Sequence, residues 1–201
     1  FLWGCAHERG VSPEVRILSD DAGQFRLARH ALCWVHLERG IHALPCASTA
    51  QAHAVERLRA DLWGFYADLR AWRQAPEPKA AARLDRRFDT LFRRHTRHPG
   101  LNRLLARARD RKGELLAVLQ MPELPLHTNA AENDLRAYVT RRKISAGTRS
   151  DQGRDARDAC LGLLKTAAKH GISFWDYLAD RLKIPGAAHV PFLPDLIAKP
   201  A

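Results

Sequence analysis

Val15-Arg16-Ile17-Leu18-Ser19-Asp20-Asp21-Ala22-Gly23 decides how the chain is read. Val15 to Ser19 is short, β-branched and apolar, follows Pro13, and stops at an Asp-Asp-Ala-Gly turn. Such a run predicts a buried strand whose C-terminal end presents Asp20 at a crevice beyond the sheet. No other strong strand pattern occurs, although Phe1-Leu2-Trp3 reads as the remnant of one.

Outward from the strand the pattern turns helical. From Phe25 to about Leu44 the apolar residues Leu27, Ala31, Leu32, Val35, Ile41 and Leu44 fall mostly at helical spacing, with Gly40 as a break. Ala52, Val55, Leu58, Leu62, Phe65, Tyr66, Leu69 and Trp72 recur mostly at steps of three or four and predict a long amphipathic helix ended by Pro76 and Pro78. A second arm carries Leu84, Phe88, Leu91 and Phe92; a third carries Leu101, Leu104, Leu105, Ala108, Leu115, Leu116 and Leu119. Residues 48–120 therefore read as a helical module that packs Leu58, Leu62, Phe65, Leu69, Phe88 and Leu104 together. Pro122 and Pro125 demand extended or turning chain. Thr128-Asn129-Ala130-Ala131-Glu132 then reads as a helix start, with Thr128 or Asn129 as the N-cap. Arg141 to Gly153 reads as a basic loop, Ala156 to Ala167 as a helix ending near Gly171, and Phe174 to Leu182 as a final short helix. The tail, with Pro185, Pro191, Pro194 and Pro200, is expected to be loose.

The chain has 201 residues, 46% hydrophobic and 27% charged, which is a globular and not a disordered composition. Lys and Arg number 33 against 22 Asp and Glu, a net charge of +11. That excess points to a polyanionic partner, most simply nucleic acid. No apolar run approaches the ~20 residues a membrane helix needs, so a helical membrane protein is excluded. No signal-peptide pattern opens the sequence, and Phe1 in place of Met predicts an upstream part. Cys5, Cys33, Cys46 and Cys160 form no C-x-x-C pair and are too sparse for a disulfide scaffold, which predicts a reducing cytosol. Cys33-x-x-His36 has the spacing to open a zinc site, but no compact second Cys/His pair follows and zinc is not expected.

Two carboxylates stand out for chemistry. Asp20 ends the strand, and Glu132 lies near a helix start with Arg136, Arg141, Arg142 and Lys143 behind it. Brought together, two carboxylates hold Mg²⁺, and a pair of such ions stabilises both the attacking and the leaving oxygen of a phosphodiester. The plainer readings are a turn Asp and a Glu serving the helix dipole. Arg136, four positions after Glu132, either pairs with it or lies along a DNA backbone with Arg141, Arg142 and Lys143. Arg93-Arg94 and Arg107-x-Arg109-x-Arg111-Lys112 read equally as DNA contacts or as a solvated face.

Five blocks occur in order: Ser19-Asp20-Asp21-Ala22-Gly23-Gln24-Phe25, Leu32-Cys33-Trp34-Val35-His36-Leu37-Glu38-Arg39, Asn129-Ala130-Ala131-Glu132-Asn133-Asp134-Leu135-Arg136, Arg142-Lys143, and Gly171-Ile172-Ser173-Phe174-Trp175-Asp176-Tyr177-Leu178. The set resembles the C-terminal catalytic part of insertion-sequence-66-type transposases. The resemblance implies an α/β fold, mostly helical here: a partial ribonuclease-H-like fold with a large all-α insertion. Residues 1–47 would form part of the core, 48–120 the insertion, 121–183 the rest of the core, and 184–201 a Pro-rich tail. It implies an Asp-Asp-Glu triad whose second Asp maps to Asp20 and whose Glu maps to Glu132. Asp21 is the alternative; Asp20 is favoured because relatives often carry Gly directly after the catalytic Asp. Cys33 and His36 map to a Cys-x-x-His element that is architectural. Thr128 stands where many relatives have Asn. No Asp precedes Asp20 in this sequence, so the first Asp of the triad is expected upstream of Phe1 and the chain alone is expected to lack cleavage activity. The resemblance further implies Mg²⁺, with Mn²⁺ as substitute. Its partners would be double-stranded DNA at transposon ends and target, with a homo-oligomer in the intact assembly and no membrane. Its setting would be the bacterial cytoplasm, close to the nucleoid. The competing class is a non-catalytic basic helical DNA-binding module or a transposase relic.

Overall fold

The expected strand is present in the computed structural model, which describes residues 15–22 and 29–197, but it is not the buried strand expected. Val15 is exposed, Arg16 to Leu18 are half-buried and only Ser19 is buried, because one short partner strand covers it. β1 (Arg16–Ser19) does not stand alone. It pairs in parallel with β2 (Arg29–Leu32), Arg16 opposite Arg29 and Ser19 opposite Leu32. Within the stretch from Phe25 to Leu44 expected to be mostly helical, this second strand is a correction at Arg29 to Leu32, Trp34 to His42 is helical as expected, and Phe25 and Leu27 lie outside the described residues. β2 buries His30, Ala31 and Leu32, and four residues are too few to display a period of two against a background that also fits 3.6. The partner strand decides the conformation, as tertiary context routinely does for short strands. Phe1-Leu2-Trp3 and Cys5 lie outside the described residues.

Among the described residues the first helix follows Cys33. α1 (Trp34–His42) runs through Gly40 without a break, and a Cβ there would meet nothing within 4 Å. α2 (Thr49–Gln74) starts at Ser48, whose side chain accepts the Gln51 N–H, while the Gln51 side chain accepts the Ala47 N–H at 2.8 Å. Its buried face is Val55, Leu58, Leu62, Phe65, Leu69 and Trp72, the expected stripe. α3 (Pro78–Phe92) and α4 (Pro99–Asp110) each open on a proline, which loses nothing at a first helical position. The third arm does not continue as one helix. It breaks at Arg111 into the short α5 (Lys112–Leu115) and a 3-10 turn at Ala117–Leu119.

Trp34 sits against Phe65, with ring centroids 5.3 Å apart, and Phe88 against Phe92 at 4.3 Å. Around these rings Leu58, Leu62, Leu69, Leu101 and Leu105 close one hydrophobic core, with Leu104 packed at its edge. The core also takes in Leu32, Ile41 and Leu126, so the helices share it with the strand pair.

The chain divides into two compact units between Thr128 and Asn129. The second holds α6 (Asn129–Ile144), α7 (Asp151–Lys169), α8 (Phe174–Arg181) and α9 (Leu193–Ile197). Arg141, Arg142 and Lys143 form the last turn of α6 and not a loop, because cations complement the carbonyl end of a helix. The helix ends before Ala146 and Gly147, whose φ values are 53° and 102°. α7 closes on Gly171 at φ 68°: the Ile172 N–H reaches the Ala167 carbonyl at 2.9 Å and the Gly171 N–H the Ala168 carbonyl at 3.1 Å. The tail is not loose over its described length. Val190 and Leu193 are buried with Ala167 and Tyr177, and the Val190 N–H donates to the Asp180 carboxylate at 2.9 Å. Among the described residues no helix is long and apolar enough to cross a membrane.

Candidate functional site

The end of β1 places two adjacent aspartates in different environments. Asp20 is exposed, and its Oδ1 accepts the Ala22 N–H at 3.2 Å, the hydrogen bond of an Asx turn. Asp21 takes a φ of 75°, in the left-handed region that suits glycine. Its Oδ2 accepts from Arg107 and its Oδ1 from Arg111. Arg107 ends one turn of α4 and Arg111 follows the helix, so their spacing of four brings both guanidinium groups to one carboxylate.

The clamp closes on itself. Arg111 Nε donates to Glu114 at 2.6 Å, and Glu114 lies 3.2 Å from Nδ1 of His30 on β2. Nε2 of that buried His30 is 2.7 Å from Ser19 Oγ, and Ser19 Oγ accepts the Asp21 N–H at 3.3 Å. Burial alone would raise the Asp21 carboxyl; hydrogen bonds and positive charge from Arg111 and Arg107 outweigh it and hold the group below its ordinary range. Burial would lower Arg111, but Glu114 and Asp21 hold it above its ordinary value. A cavity of about 140 Å³ opens beside the turn, lined by Asp20, Asp21, Cys33, His36, Arg107 and Arg111 among others.

Cys33 and His36 belong to the frame of this cavity. Cys33 is buried at the start of α1, its N–H donates to the Ser19 carbonyl at 2.9 Å, and Thr128 Oγ1 donates to its sulfur at 3.6 Å. Next to it, the Trp34 N–H reaches the Leu126 carbonyl at 3.0 Å and the Trp34 indole N–H the Leu115 carbonyl at 2.9 Å. No group of three or more His, Cys, Asp and Glu that could hold a metal occurs among the described residues.

In the second unit, Glu132 is half-buried in the first turn of α6. Asp134 beside it is bound by Lys169 at 2.6 Å and Lys165 at 3.5 Å; the Lys169 contact above all holds its carboxyl below the ordinary range. Arg136, Arg141, Arg142 and Lys143 are exposed. The basic last turn lies roughly 15 Å along the helix axis from Glu132. Asp20 thus belongs to the first unit and Glu132 to the second.

Sequence reasoning left Arg107, Arg111, Glu114 and His30 out of the site. The available signal was the four-residue spacing of Arg107 and Arg111, which puts both on one helical face.

A sequence model of the Transposase IS66 family matches residues 21–156, a span that takes in Asp21, Cys33, His36 and Glu132 and begins one residue after Asp20. The chain is also 48% identical over 198 residues to the uncharacterized protein y4jO of Sinorhizobium fredii (strain NBRC 101917 / NGR234). That alignment covers 98% of this chain and 62% of the relative, so the chain spans less than two thirds of that protein's length. No solved structure matches.

Proposed function

This chain belongs to the IS66 family of transposases, and from that membership we propose that it carries part of the machinery that cuts transposon ends and joins them to target DNA. In this reading β1 and β2 belong to a ribonuclease-H-like sheet, and the helices between Asp20 and Glu132 are an insertion into it. Asp20 and Glu132 are the metal-holding carboxylates. Arg136, Arg141, Arg142 and Lys143 lie along the DNA backbone.

The observation that carries the reading is the division of roles at the end of β1. Both oxygens of Asp21 are taken by guanidinium groups, and a divalent cation there would face two positive charges. Asp20 fits a hard cation better: it is exposed, has oxygen ligands, and uses one of them for a single backbone hydrogen bond. Mg²⁺, with Mn²⁺ as substitute, supplies Lewis-acid charge and an activated water when bound. Asp20 and Glu132 would hold it, Asp21 and its arginines keep the strand-end turn in place, and the cations of α6 position the phosphates.

A second reading is a DNA-binding module without catalysis. Its support is the net charge of +11, which favours a polyanionic partner whether or not the chain acts on it. Two measurements separate the readings. Mn²⁺ binding, followed by electron paramagnetic resonance, should weaken in Asp20→Asn and in Glu132→Gln and persist in Asp134→Asn. Metal-dependent nicking by a transposase that includes this chain should disappear in the same two variants while duplex binding persists. Unchanged Mn²⁺ binding and unchanged nicking in both would sink the metal-site assignment.

A further inference from the structure

From Arg93 to Arg109 the chain carries six arginines, with His95 and His98, and no Asp or Glu. Several of these arginines are used internally. Arg94 pairs with Asp61 on α2, Arg107 with Asp21, and Arg109 donates to the Phe92 carbonyl at 3.1 Å. Arg97 and Arg103 are different. Both are exposed, and among the described residues neither guanidinium meets an acid or a carbonyl. Arg57 of α2 is exposed in the same way, in a cleft that it lines with Arg94, His95 and Thr96.

The loop that presents Arg97, residues 93–98 between α3 and α4, is held rigidly. Asn102 Oδ1 accepts from both the Thr96 N–H and the Thr96 hydroxyl at 2.9 Å, and Asn102 Nδ2 donates to the Thr96 carbonyl at 2.8 Å. Gln51 Nε2 donates to the Arg97 carbonyl at 3.2 Å. The buried His98 caps α4 by accepting the Leu101 N–H at 3.3 Å, and the first turn of α4 holds no acid. The positive end of α4 therefore adds to the arginines, and little conformational freedom of the loop remains to be lost on binding. Arg93, Arg94 and Arg107 have carboxylate partners in Asp89, Asp61 and Asp21, whereas Arg57, Arg97 and Arg103 meet no counter-charge among the described residues and are left for phosphates to neutralise.

α4 also gives the patch a direction. Arg103 and Arg107 are four residues apart on one face, and Arg107 reaches Asp21 beside Asp20. Twelve residues of α4 separate the loop from the clamp, about 18 Å. We propose that loop 93–98 and Arg103 form a phosphate-binding track for duplex DNA that runs along α4 toward Asp20. It engages backbone phosphates on the order of five nucleotides from the phosphate at Asp20, given a rise of about 3.4 Å per nucleotide. The proposal rests on the DNA-binding reading above and adds a contact surface in the first unit, apart from α6.

The test is the salt dependence of duplex binding by the 201-residue chain, read by fluorescence anisotropy between ~50 and ~200 mM NaCl. Each phosphate contact contributes about 0.9 to the slope of log affinity against log salt. The Arg97→Gln/Arg103→Gln pair should lower that slope by about 1.8. Arg97→Lys/Arg103→Lys should keep it. Arg70→Gln/Arg83→Gln, equally exposed but at the opposite end of the α2–α3 hairpin, should leave it unchanged. An unchanged slope in the Arg97/Arg103 glutamine pair, or an equal loss in the Arg70/Arg83 pair, overturns the track. If only the α6 substitutions weaken binding, the proposed function stands and the track falls. If the wild-type chain binds no duplex, both fall. Thermal melting by circular dichroism should be the same for all pairs, since none of these guanidinium groups has a partner to lose.

Discussion

The two units bury their apolar residues on very different scales. In the first, Trp34, Phe65, Phe88, Phe92, Leu62 and Leu69 are essentially sealed from solvent and touch one another across three helices. In the second, the core is Ala167, Tyr177, Val190 and Leu193, and α6 buries no residue at all. Leu135 and Ile144 on α6 are 64% and 80% exposed. The difference bears on the two carboxylates. Asp20 is attached to a frame with a large core and a closed ring of polar contacts, whereas Glu132 rides on a helix with almost no apolar anchorage of its own. Local stability follows buried contacts, so the amide hydrogens of α6 should exchange well before those of α2 and α3.

The largest effect that would break this contrast is expected at Phe88. Phe88→Ala should cost about 3–5 kcal/mol in denaturant unfolding; a cost under about 1 kcal/mol would mean the aromatic cluster is not what holds the first unit. Arg111→Ala comes next, at about 1–3 kcal/mol, because it leaves Asp21 and Glu114 without their shared cation. It should also change the acid limb. Asp21 is held below its ordinary value of 3.8, so the unfolded chain takes up that proton more readily than the folded one. The clamp's contribution is therefore fully present above that ordinary value and is lost as pH falls through the lower folded one. A stability-versus-pH curve of Arg111→Ala should be flatter there, and an identical acid limb would remove the clamp from the ledger. Gly171→Ala should cost about 1 kcal/mol through the left-handed residue that closes α7, with faster exchange confined to the second unit. Leu135→Gln and Ile144→Gln should each stay within about 0.5 kcal/mol, and a larger loss would show that α6 has a buried face after all.

The long helices were legible because their residues repeat one physical requirement over many turns: α2 buries six apolar positions on one stripe. β2 was not, because Arg29-His30-Ala31-Leu32 has too few residues to declare a period and owes its conformation to β1. The candidate carboxylates were visible as residue types at element ends. Their surroundings were not, since Arg107, Arg111 and Glu114 come from a helix end more than 80 positions away. The end of α6 was misjudged for a related reason: a run of cations looks like a solvated loop in sequence, yet it is what the carbonyl end of a helix favours. The tail helix α9 was hidden behind prolines that disfavour regular structure locally but not a hydrophobic contact such as that of Leu193.

The dipeptide Cys33-Trp34 has a consequence for the order of folding. Its backbone and indole N–H groups bond the carbonyls of Ser19, Leu126 and Leu115, the last 81 positions away. The bonds to Leu115 and Leu126 can form only after the entire helical segment between has looped back. The α2–α3 hairpin closes over a three-residue connection and needs no such wait. Loop-closure entropy thus separates an early, local event from a late, non-local one. The strand-end turn that carries Asp20 is built in the late step, on top of helices that are already packed. Substitutions at Phe65 or Phe88 should accordingly slow folding, and substitutions at Trp34 should chiefly speed unfolding.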